Sequence, residues 1–404
     1  MRWPAILRAG RARHTSTPDF GTPPEGWRFA PFACLTGRVT TDGQRESTIG
    51  SPFTRADADT AARLLDRHWG IHAQSLSRLD TENDDTFRVR IVPKADARSD
   101  DPTSFILKLA NPADDPAEIE LQTSALLHAR RRDPTLPLQR NIPSKTGELL
   151  PRLTLANGDV RIGRVLTYLP GSLLHDTPCT LAQLRAAGRM MAKLAVALRD
   201  FEHQAARRSL PWDLQQLAAL QPKLVAVADA GVRAEMATVL TGLIDETLPR
   251  LRETRRQVIH NDFHGGNVIV DPDDPTFVAG ILDFGDTVDS FLVADLAVAM
   301  SYAGGYPRAR AGEPHREADS GEATPGREAT PWAAADALRD GYCEITPLTP
   351  RERELLHPLA IGRLVQRYIL GSWLASTDPA NADYTAKNLR LTLDQFNRLS
   401  RSTD

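Results

Sequence analysis

The sequence predicts an α+β protein of two lobes, a small N-terminal lobe built on a sheet and a larger C-terminal lobe that is mostly helical. Three observations support this prediction. Short alternating apolar runs occur before residue 169, long Ala- and Leu-rich helical runs occur after residue 171, and a polar loop lies between short strands near residue 260. Hydrophobic residues make up 41% of the 404 residues and charged residues 25%, a balance that can fill a core.

The first part of the chain is predicted to lack regular structure. Residues 1–52 are rich in Pro, Gly, Thr and Arg and show no sustained period, which indicates a disordered extension. The arginines at its start resemble those of an organellar transit peptide. Because Pro4 and Gly10 interrupt any amphipathic helix, a plain basic leader is the preferred interpretation.

The N-terminal lobe is predicted over residues 53–168. A helix begins near residue 54 and stops at Gly70, and a polar turn at 80–86 leads into a strand at 87–91 that alternates apolar residues with arginines. The pattern then predicts a strand at 105–109, a helix at 117–130 and a strand at 160–169.

The helical lobe is predicted over residues 169–404, and it carries a flexible insertion. Two short strands, at 268–271 and 278–283, are predicted to form a hairpin. Residues 307–330 are charged, rich in Gly, Pro and Glu, and almost free of large apolar side chains, which favours a flexible surface segment. Periodic apolar runs predict helices at 181–202, 214–227, 233–251, 290–303, 332–344 and 351–375.

The strongest functional signal is the segment HNDFHGGN at 260–267, followed by LDFGD at 282–286. Phosphoryl transfer needs few protein groups, but it needs them well placed. One carboxylate must orient the incoming hydroxyl and accept its proton, and Asp262 is the predicted base. A carboxylate and an amide can supply the oxygen ligands that Mg²⁺ prefers, and Asn267 and Asp283 are the predicted metal ligands.

These motifs resemble the catalytic and metal-binding loops of the aminoglycoside phosphotransferase and choline kinase superfamily, whose members are relatives of protein kinases. LDFGD followed by VADLAVAM at 293–300 is similar to the hydroxylysine kinases and their bacterial relatives, and the similarity extends to FILKLANP at 105–112. The resemblance implies a bilobal protein-kinase-like fold with a nucleotide bound between the lobes.

The resemblance also implies roles for residues of the N-terminal lobe and the hinge. Lys108 is expected to pair with the α- and β-phosphates, and Glu120 is expected to hold Lys108 in place, with Glu118 as a second candidate. Leu166 to Leu169 would form the hinge that meets the purine through backbone groups. The implied cofactor is Mg²⁺, and the implied donor is ATP or GTP, with the likeness to hydroxylysine kinases favouring GTP.

Two departures from the superfamily pattern stand out. Asn261 follows the histidine of the motif where the superfamily usually has Gly or Arg, and the turn at 80–86 has no glycine to form a Gly-rich phosphate clamp. Hydroxylysine kinases resemble this sequence in lacking that glycine pattern. His260 is interpreted as a scaffold for the loop, and Asp295 as a hydrogen-bonding support for its own loop. Arg363 belongs to the helical lobe, where a substrate would lie, but as a single charge it is interpreted as a core or surface residue.

Other classes of protein are not supported by the sequence. The formal net charge of −3 gives no electrostatic argument for a nucleic-acid or membrane partner, and no apolar stretch is long enough to span a bilayer. The three scattered cysteines form no CxxC pair, which favours a reduced cytoplasmic protein. There is no GxxxxGKS/T segment of a P-loop kinase, no GxGxxG segment after a strand, and no Ala-Pro-Glu segment of a protein kinase.

The predicted acceptor is a small hydroxylated amine or amino acid, with 5-hydroxylysine as the first candidate. An aminoglycoside, a homoserine-like amino acid, choline or a sugar remains an alternative, because acceptors are chosen by pocket shape. A catalytically silent kinase-like binding module is a further alternative. The retention of competent residues at all the mechanistic positions argues against it. No pattern in the sequence specifies an oligomeric state.

Overall fold

The computed structural model describes residues 53–79, 81, 84–92, 102–274, 276–306, 330–377 and 382–401. The extension predicted at 1–52 and all but the last residue of the insertion predicted at 307–330 lie outside the described residues. Within the described part of the chain, the predicted α+β fold is confirmed, with an antiparallel sheet in the N-terminal part followed by many helices.

The N-terminal lobe is a sheet with one helix before it and one helix inserted between its strands. Its strands pair antiparallel in the order β1-β2-β3-β6-β4, and β5 pairs with β6. Lys108 lies on a central strand of this sheet, in register with Thr86 on one side and Arg164 on the other. The elements are α1 (Ala58–Trp69), β1 (Ser75–Leu79), β2 (Asp85–Arg90), β3 (Ser104–Leu109), α2 (Pro116–Arg132), β4 (Asn141–Ile142), β5 (Arg152–Thr154) and β6 (Val160–Thr167).

The sequence of α1 explains where this helix begins, where it ends and which face it buries. The Asp57 side chain accepts a hydrogen bond from a first-turn amide, and Gly70 ends the helix with a φ of 67°. Leu64, Leu65 and Trp69 lie at helical spacing and are buried against the apolar face of the sheet.

A buried ion pair fixes the start of β2. Asp85 is fully buried and accepts hydrogen bonds from the Ala56 amide at 2.8 Å, from Arg161 Nη1 at 2.7 Å, and from Arg78. The Arg161 guanidinium also donates to the Leu109 carbonyl at 2.7 Å. The carboxylate therefore joins β1, β2 and β6 to the chain that precedes α1.

The C-terminal lobe is mostly helical, and its described residues form two small antiparallel sheets. The predicted hairpin is confirmed as β9 paired with β10, with β7 on the other side of β9, and β8 pairs with β11. The elements are β7 (Ser172–Leu173), α3 (Leu181–Ala197), α4 (Ala230–Gly242), α5 (Leu248–Leu251), β8 (Arg256–Ile259), β9 (Val268–Val270), β10 (Val278–Ile281), β11 (Val288–Phe291), α6 (Leu292–Ala303), α7 (Ala333–Ile345), α8 (Pro350–Thr377) and α9 (Ala382–Ser400).

Two of the predicted helices differ from the structure, and proline lies in both. The predicted helix at 214–227 is a 3-10 helix, Leu214–Ala226, that contains Pro222. The predicted helix at 233–251 is divided by a π-helical turn, Leu243–Thr247. Pro249 lies just beyond that turn, and because proline lacks an amide proton and clashes with the carbonyl four residues earlier, it disrupts regular α-helical hydrogen bonding there.

Helix α6 forms the centre of the C-terminal core. Nearly every residue of α6 is buried, and the helix packs against α7 and α8. A helix surrounded on all sides has no solvated face, which accounts for its uniformly apolar sequence. Asp295 in its first turn is the exception, and it points to the loop described below. None of the described helices is both long enough and apolar enough to cross a membrane.

Candidate active site

The loop 260–267 connects β8 to β9, and hydrogen bonds of the His260 side chain fix its shape. The His260 side chain is fully buried, and its Nδ1 accepts a hydrogen bond from the Asp262 amide at 3.3 Å. Nε2 therefore carries the ring proton and donates it to the Leu282 carbonyl at 3.0 Å. In this way His260 connects the loop to the residue that precedes Asp283, as expected of a scaffold.

Asn261 turns the chain through the left-handed region, with a φ of 65°. Asparagine tolerates this conformation better than most residues, so the departure from the Gly or Arg of the superfamily has a local explanation. The backbone N–H of Asn261 donates to Asp295 Oδ1 at 2.7 Å. The buried carboxylate of Asp295 thus supports the loop from α6, and its burial raises its pKa.

Three side chains surround the carboxylate of Asp262. Asn267 Nδ2 donates to Oδ2 at 2.7 Å, His264 Nε2 lies 3.3 Å from the same oxygen, and Arg363 Nη2 lies 3.4 Å from Oδ1. Burial disfavours ionisation of Asp262, but the charge and hydrogen bond of His264 and the charge of Arg363 outweigh it and hold the pKa below its usual range. Asp262 is therefore ionised at neutral pH and can orient a hydroxyl group.

Asn267 and Asp283 lie on adjoining loops, which are connected by a hydrogen bond from the Leu282 amide to the Asn267 carbonyl at 2.8 Å. The Asn267 Nδ2 group faces Asp262, which leaves Oδ1 for another partner. Asp283 has a φ of 53°, and its carboxylate is 43% exposed to the cleft. The charge of Lys108 keeps the Asp283 pKa below its usual range. An amide oxygen and an ionised carboxylate are ligands that suit Mg²⁺ beside phosphate groups.

Lys108 does not contact the acid that the sequence predicted for it. Its Nζ lies 3.4 Å from Asp283 Oδ2 and 3.4 Å from Asp84 Oδ2, and no ion pair with Glu120 occurs in the described structure. Helix α2 instead turns Gln122 toward the cavity that Lys108 lines. Because successive helical residues are rotated by about 100°, Glu120 lies about 200° around α2 from Gln122 and faces away.

Glu118, the second candidate for the Lys108 partner, pairs with a different residue. Its Oε2 accepts from Arg208 Nη1 at 2.6 Å. Arg208 also donates to the Thr287 carbonyl at 3.1 Å and to the Gly285 carbonyl. Glu118 and Arg208 therefore connect α2 to the loop that follows Asp283.

The predicted hinge residues Leu166 and Leu169 occupy different environments. Leu166 lies in β6 between Ile106 and Asn141, so its backbone groups belong to the sheet and its side chain lines the cavity beside Lys108. Leu169 follows the end of β6, and its amide donates to no residue among those that the structure describes. Leu169 is thus the better placed of the two to meet a purine through the backbone.

A polar cavity lies behind Lys108, between α2 and β6. It has a volume of about 30 Å³, which is room for a water molecule. Thr123 Oγ1 and both polar atoms of the Asn141 side chain are buried and have no hydrogen-bond partner within the described ranges. The residues lining it are Lys108, Gln122, Thr123, Leu126, Gln139, Asn141, Arg164, Leu166, Asp283 and Phe284.

Asp286 adds a second carboxylate near Asp262. Burial and then the charge of Asp262 raise its pKa to about 7, and Arg363 and Arg208 partly offset this effect. Its carboxylate accepts no hydrogen bond from any residue in the described part of the chain. The site therefore holds an acidic group that is available to a ligand.

Several residues of the site were missed or differently interpreted from sequence. Asp84 lies in the turn predicted at 80–86, but no role was predicted for its side chain, and none was predicted for Arg208. Arg363 was interpreted as a core or surface residue, and it is indeed buried, at 1% exposure, but against Asp262. The available signal was a pair of arginines, Arg363 and Arg367, four residues apart in the segment 359–374 of α8, whose other residues are uncharged.

Comparison with known proteins shows which family the chain resembles. The model of the phosphotransferase enzyme family matches residues 77–333. The chain is 25% identical over 354 residues to hydroxylysine kinase of Mus musculus, covering 84% of this chain and 88% of that relative. It is 26% identical over 350 residues to hydroxylysine kinase of Danio rerio, covering 83% and 89%.

Solved structures share the fold at low sequence identity. A microcompartment-associated aminopropanol kinase superposes with a TM-score of 0.60 at 20% identity, over 85% of this chain and 97% of that one. An amicoumacin kinase in complex with AMP-PNP and Ca²⁺ gives 0.59 at 14% identity, over 85% and 94%. These likenesses confirm the predicted kinase-like fold. Because the family model covers well over half of the sequence, the chain belongs to the phosphotransferase enzyme family.

Proposed function

We propose that this protein transfers the γ-phosphoryl group of ATP or GTP to a hydroxyl group of a small amine or amino acid, with 5-hydroxylysine as the first candidate. The observation that carries the proposal is the setting of Asp262. Its carboxylate is kept ionised between Asn267 and Arg363, and its loop is hydrogen-bonded to the loop that holds Asp283 beside Lys108.

Each residue has a definable part in the proposed reaction. Lys108 binds the phosphates of the donor, and Asp262 accepts a hydrogen bond from the acceptor hydroxyl and orients it toward the γ-phosphorus. The hydroxyl oxygen forms a bond to phosphorus while the bond from phosphorus to the β,γ-bridging oxygen breaks. The hydroxyl proton passes to Asp262, and the products are a phosphomonoester and a nucleoside diphosphate.

The donor set at the cleft fits a divalent metal ion. Asn267 Oδ1 and the Asp283 carboxylate would hold Mg²⁺, and the ion would neutralise charge on the phosphates when bound. Lys108, 3.4 Å from Asp283, would add a further positive charge on the donor side of the site. The acceptor side, in contrast, is formed by Asp262 and Asp286.

Two observations support an acceptor that carries an amine. The Asp286 carboxylate lies near the base without a hydrogen-bond partner among the described residues, so an ammonium group next to the reacting hydroxyl would satisfy it. The hydroxylysine kinases that the chain resembles are named for an acceptor of this kind. In 5-hydroxylysine the hydroxyl and the terminal ammonium group are on adjacent carbons.

The test is an assay of nucleoside diphosphate release with Mg²⁺ and ATP or GTP against a panel of acceptors. The panel contains 5-hydroxylysine, homoserine, choline, ethanolamine, 1-amino-2-propanol and several aminoglycosides. We expect acceptor-dependent release with 5-hydroxylysine that falls about 10²- to 10⁴-fold in Asp262→Asn, the usual contribution of a positioned base.

The matched control is Asp273→Asn, which changes an exposed carboxylate in the turn between β9 and β10. This variant should keep wild-type turnover. Nucleoside diphosphate release with a different acceptor would support the proposed kinase activity but assign it another substrate. Tight nucleotide binding without release for any acceptor would contradict the proposal and favour a silent binding module.

A further inference from the structure

One face of α8 carries two arginines, Arg363 next to the loop 260–267 and Arg367 next to Tyr302 of α6. Arg363 is buried, and its Nη1 donates to the Trp212 carbonyl and to Gln366 Oε1, the latter at 3.0 Å. Its Nη2 lies 3.4 Å from Asp262 Oδ1. These contacts commit both Nη atoms of Arg363 to the protein itself, whereas its buried Nε has no hydrogen-bond partner among the described residues.

Arg367 lies one helical turn beyond Arg363, and its guanidinium is not committed in this way. Its Cζ atom lies 4.1 Å from the centroid of the Tyr302 ring. Its Nη1 is buried and has no hydrogen-bond partner in the part of the chain that the structure describes. A buried charged donor without an acceptor is costly, so this atom points to a ligand that supplies one.

A series of side-chain contacts, through Tyr302 and His264, connects Arg367 to Asp262. The Tyr302 ring lies 4.9 Å from the His264 ring, centroid to centroid, and His264 Nε2 lies 3.3 Å from Asp262 Oδ2. Along α8, four residues correspond to about 6 Å, so Arg367 lies about that far beyond the arginine that contacts Asp262. Arg367, Tyr302 and His264 therefore form one wall of the space next to the base.

We propose that Arg367 binds the carboxylate of an amino-acid acceptor whose side-chain hydroxyl faces Asp262; this inference rests on the proposed function. The planar guanidinium can hold a carboxylate through two hydrogen bonds. In an extended chain of five carbons, a hydroxyl on the fifth carbon lies about 5–6 Å from the carboxylate, since bonded atoms advance by little more than 1 Å each. That length matches the spacing between the two arginines.

The same wall explains which acceptors the site should refuse. An amine alcohol without a carboxylate leaves Arg367 Nη1 unpaired, and a polycation such as an aminoglycoside meets two guanidinium groups beside Asp262. Repulsion between like charges suppresses the wrong partner and adds to the specificity given by favourable contacts with the right one. The proposed subsite thus selects amino acids over simple amines.

The first experiment measures binding, so that it does not depend on turnover. L-lysine and its decarboxylated analogue cadaverine are titrated calorimetrically into the full chain with Mg²⁺ and a non-hydrolysable GTP analogue. We expect the wild-type protein to bind L-lysine at least tenfold more tightly than cadaverine. Arg367→Gln should remove that difference, and Arg367→Lys, which keeps the charge but not the planar fork, should restore part of it.

The control is Arg353→Gln on the same helix, because Arg353 is exposed and lies about 20 Å along α8 from Arg367. It should show the wild-type preference for L-lysine. Equal affinity of the wild-type protein for both ligands, or an unchanged preference in a folded Arg367→Gln variant, would overturn the subsite.

A second measurement separates the subsite from the proposed function. It compares kcat/KM for 5-hydroxylysine with that for 1,5-diamino-2-pentanol, which lacks the carboxylate. We expect a ratio of at least ten that falls toward one in Arg367→Gln. Equal turnover of both acceptors by the wild-type protein would leave the kinase intact and reject the subsite. Arg367-dependent binding of L-lysine without turnover of any acceptor would keep the subsite and reject the proposed reaction.

Discussion

At the scale of single residues, the site depends on two non-glycine residues in left-handed conformations. Asn261 and Asp283 have φ angles of 65° and 53°, and each is held by a hydrogen bond that the surrounding structure provides. The backbone N–H of Asn261 donates to Asp295, and Asp283 Oδ1 accepts from the backbone N–H of Gly285 at 2.9 Å. Such strained positions concentrate at functional sites, where the fold compensates for them.

The first residue-scale prediction concerns the acid that holds Lys108. Asp84 and Lys108 are both 14% exposed and 3.4 Å apart, whereas Glu120 faces away from Lys108. Replacing Asp84 by Asn should lower kcat/KM for the nucleotide by about tenfold, which corresponds to about 1.4 kcal/mol, since the lysine loses a partly buried partner.

The matched variant is Glu120→Gln, which should stay within about twofold of the wild-type value, because the half-buried Glu120 forms no ion pair with Lys108 in the described structure. Steady-state kinetics at varied nucleotide concentration measures both variants. A large loss in Glu120→Gln with none in Asp84→Asn would restore the assignment that the sequence suggested.

At the scale of elements, the N-terminal sheet is fixed by a charge in its interior. Asp85 joins β1, β2 and β6 through Arg78 and Arg161, and the carboxylate is fully buried. Burial would raise the pKa of Asp85, but hydrogen bonds from the Ala56 amide, Arg161 and Arg78 together lower it. The ion pair therefore stabilises the folded state only while Asp85 is ionised.

The pH dependence of stability follows from the direction of that shift. A carboxyl group with a lowered pKa in the folded state contributes its full stabilisation above its unfolded pKa, near 4, and loses it as the pH falls through the folded value. Asp85→Asn should lower the free energy of unfolding at pH 7 by about 3–5 kcal/mol. Below pH 4 the difference from the wild-type protein should shrink.

Urea unfolding followed by circular dichroism between pH 7 and pH 3 measures this effect. Asp273→Asn, with its exposed side chain, is the control and should match the wild-type protein throughout. A difference for Asp85→Asn that stays constant across this range would contradict the assignment of the ionised pair.

The sequence predicted most elements because their signals are local. The alternation around Phe87, the hairpin formed by β9 and β10 and the capped helix α1 each depend on neighbouring residues. The pairing of Lys108 could not be predicted in this way, because it depends on how α2 is rotated against β3. That rotation is decided by packing of residues such as Ile119 and Leu121 into separate parts of the core.

The residues around Asp262 on the proposed acceptor side were also hard to predict, because their positions depend on how helices pack. Asp262 and Asp283 belong to a short motif, and the roles predicted for them rest on residue type and spacing. Arg363, Arg367 and Tyr302 reach the site from α8 and α6, far along the chain. The spacing of Arg363 and Arg367 marks one face of α8, but only the folded chain shows that this face meets Asp262 and Tyr302.

At the scale of the whole molecule, the candidate site lies where the two lobes meet. Lys108 comes from the N-terminal sheet and Asp283 from the C-terminal lobe, and Glu118 with Arg208 forms a second connection between them. A ligand that contacts both lobes adds its binding free energy to the folded state. The free energy of unfolding should therefore increase when nucleotide and metal bind together.

Thermal unfolding with and without ligand tests this expectation. Mg²⁺ with GTP at about 100 times its Kd should stabilise the protein by about 2.7 kcal/mol and raise Tm, and GTP with EDTA should raise it much less. In Asp283→Asn the metal-dependent part of the increase should disappear, while Asp273→Asn should retain it. Equal increases with and without Mg²⁺ in the wild-type protein would argue against Asp283 as a metal ligand.

The most direct test of phosphoryl transfer is phosphorus NMR of the wild-type protein with Mg²⁺, GTP and 5-hydroxylysine. We predict that the γ-phosphate signal declines as a phosphomonoester signal, coupled to the proton on the carbon bearing the new ester oxygen, grows in equal amount. Asp262→Asn should show neither change on the same time scale. Loss of the γ-phosphate only to inorganic phosphate, or a phosphomonoester formed equally well by Asp262→Asn, would contradict the account.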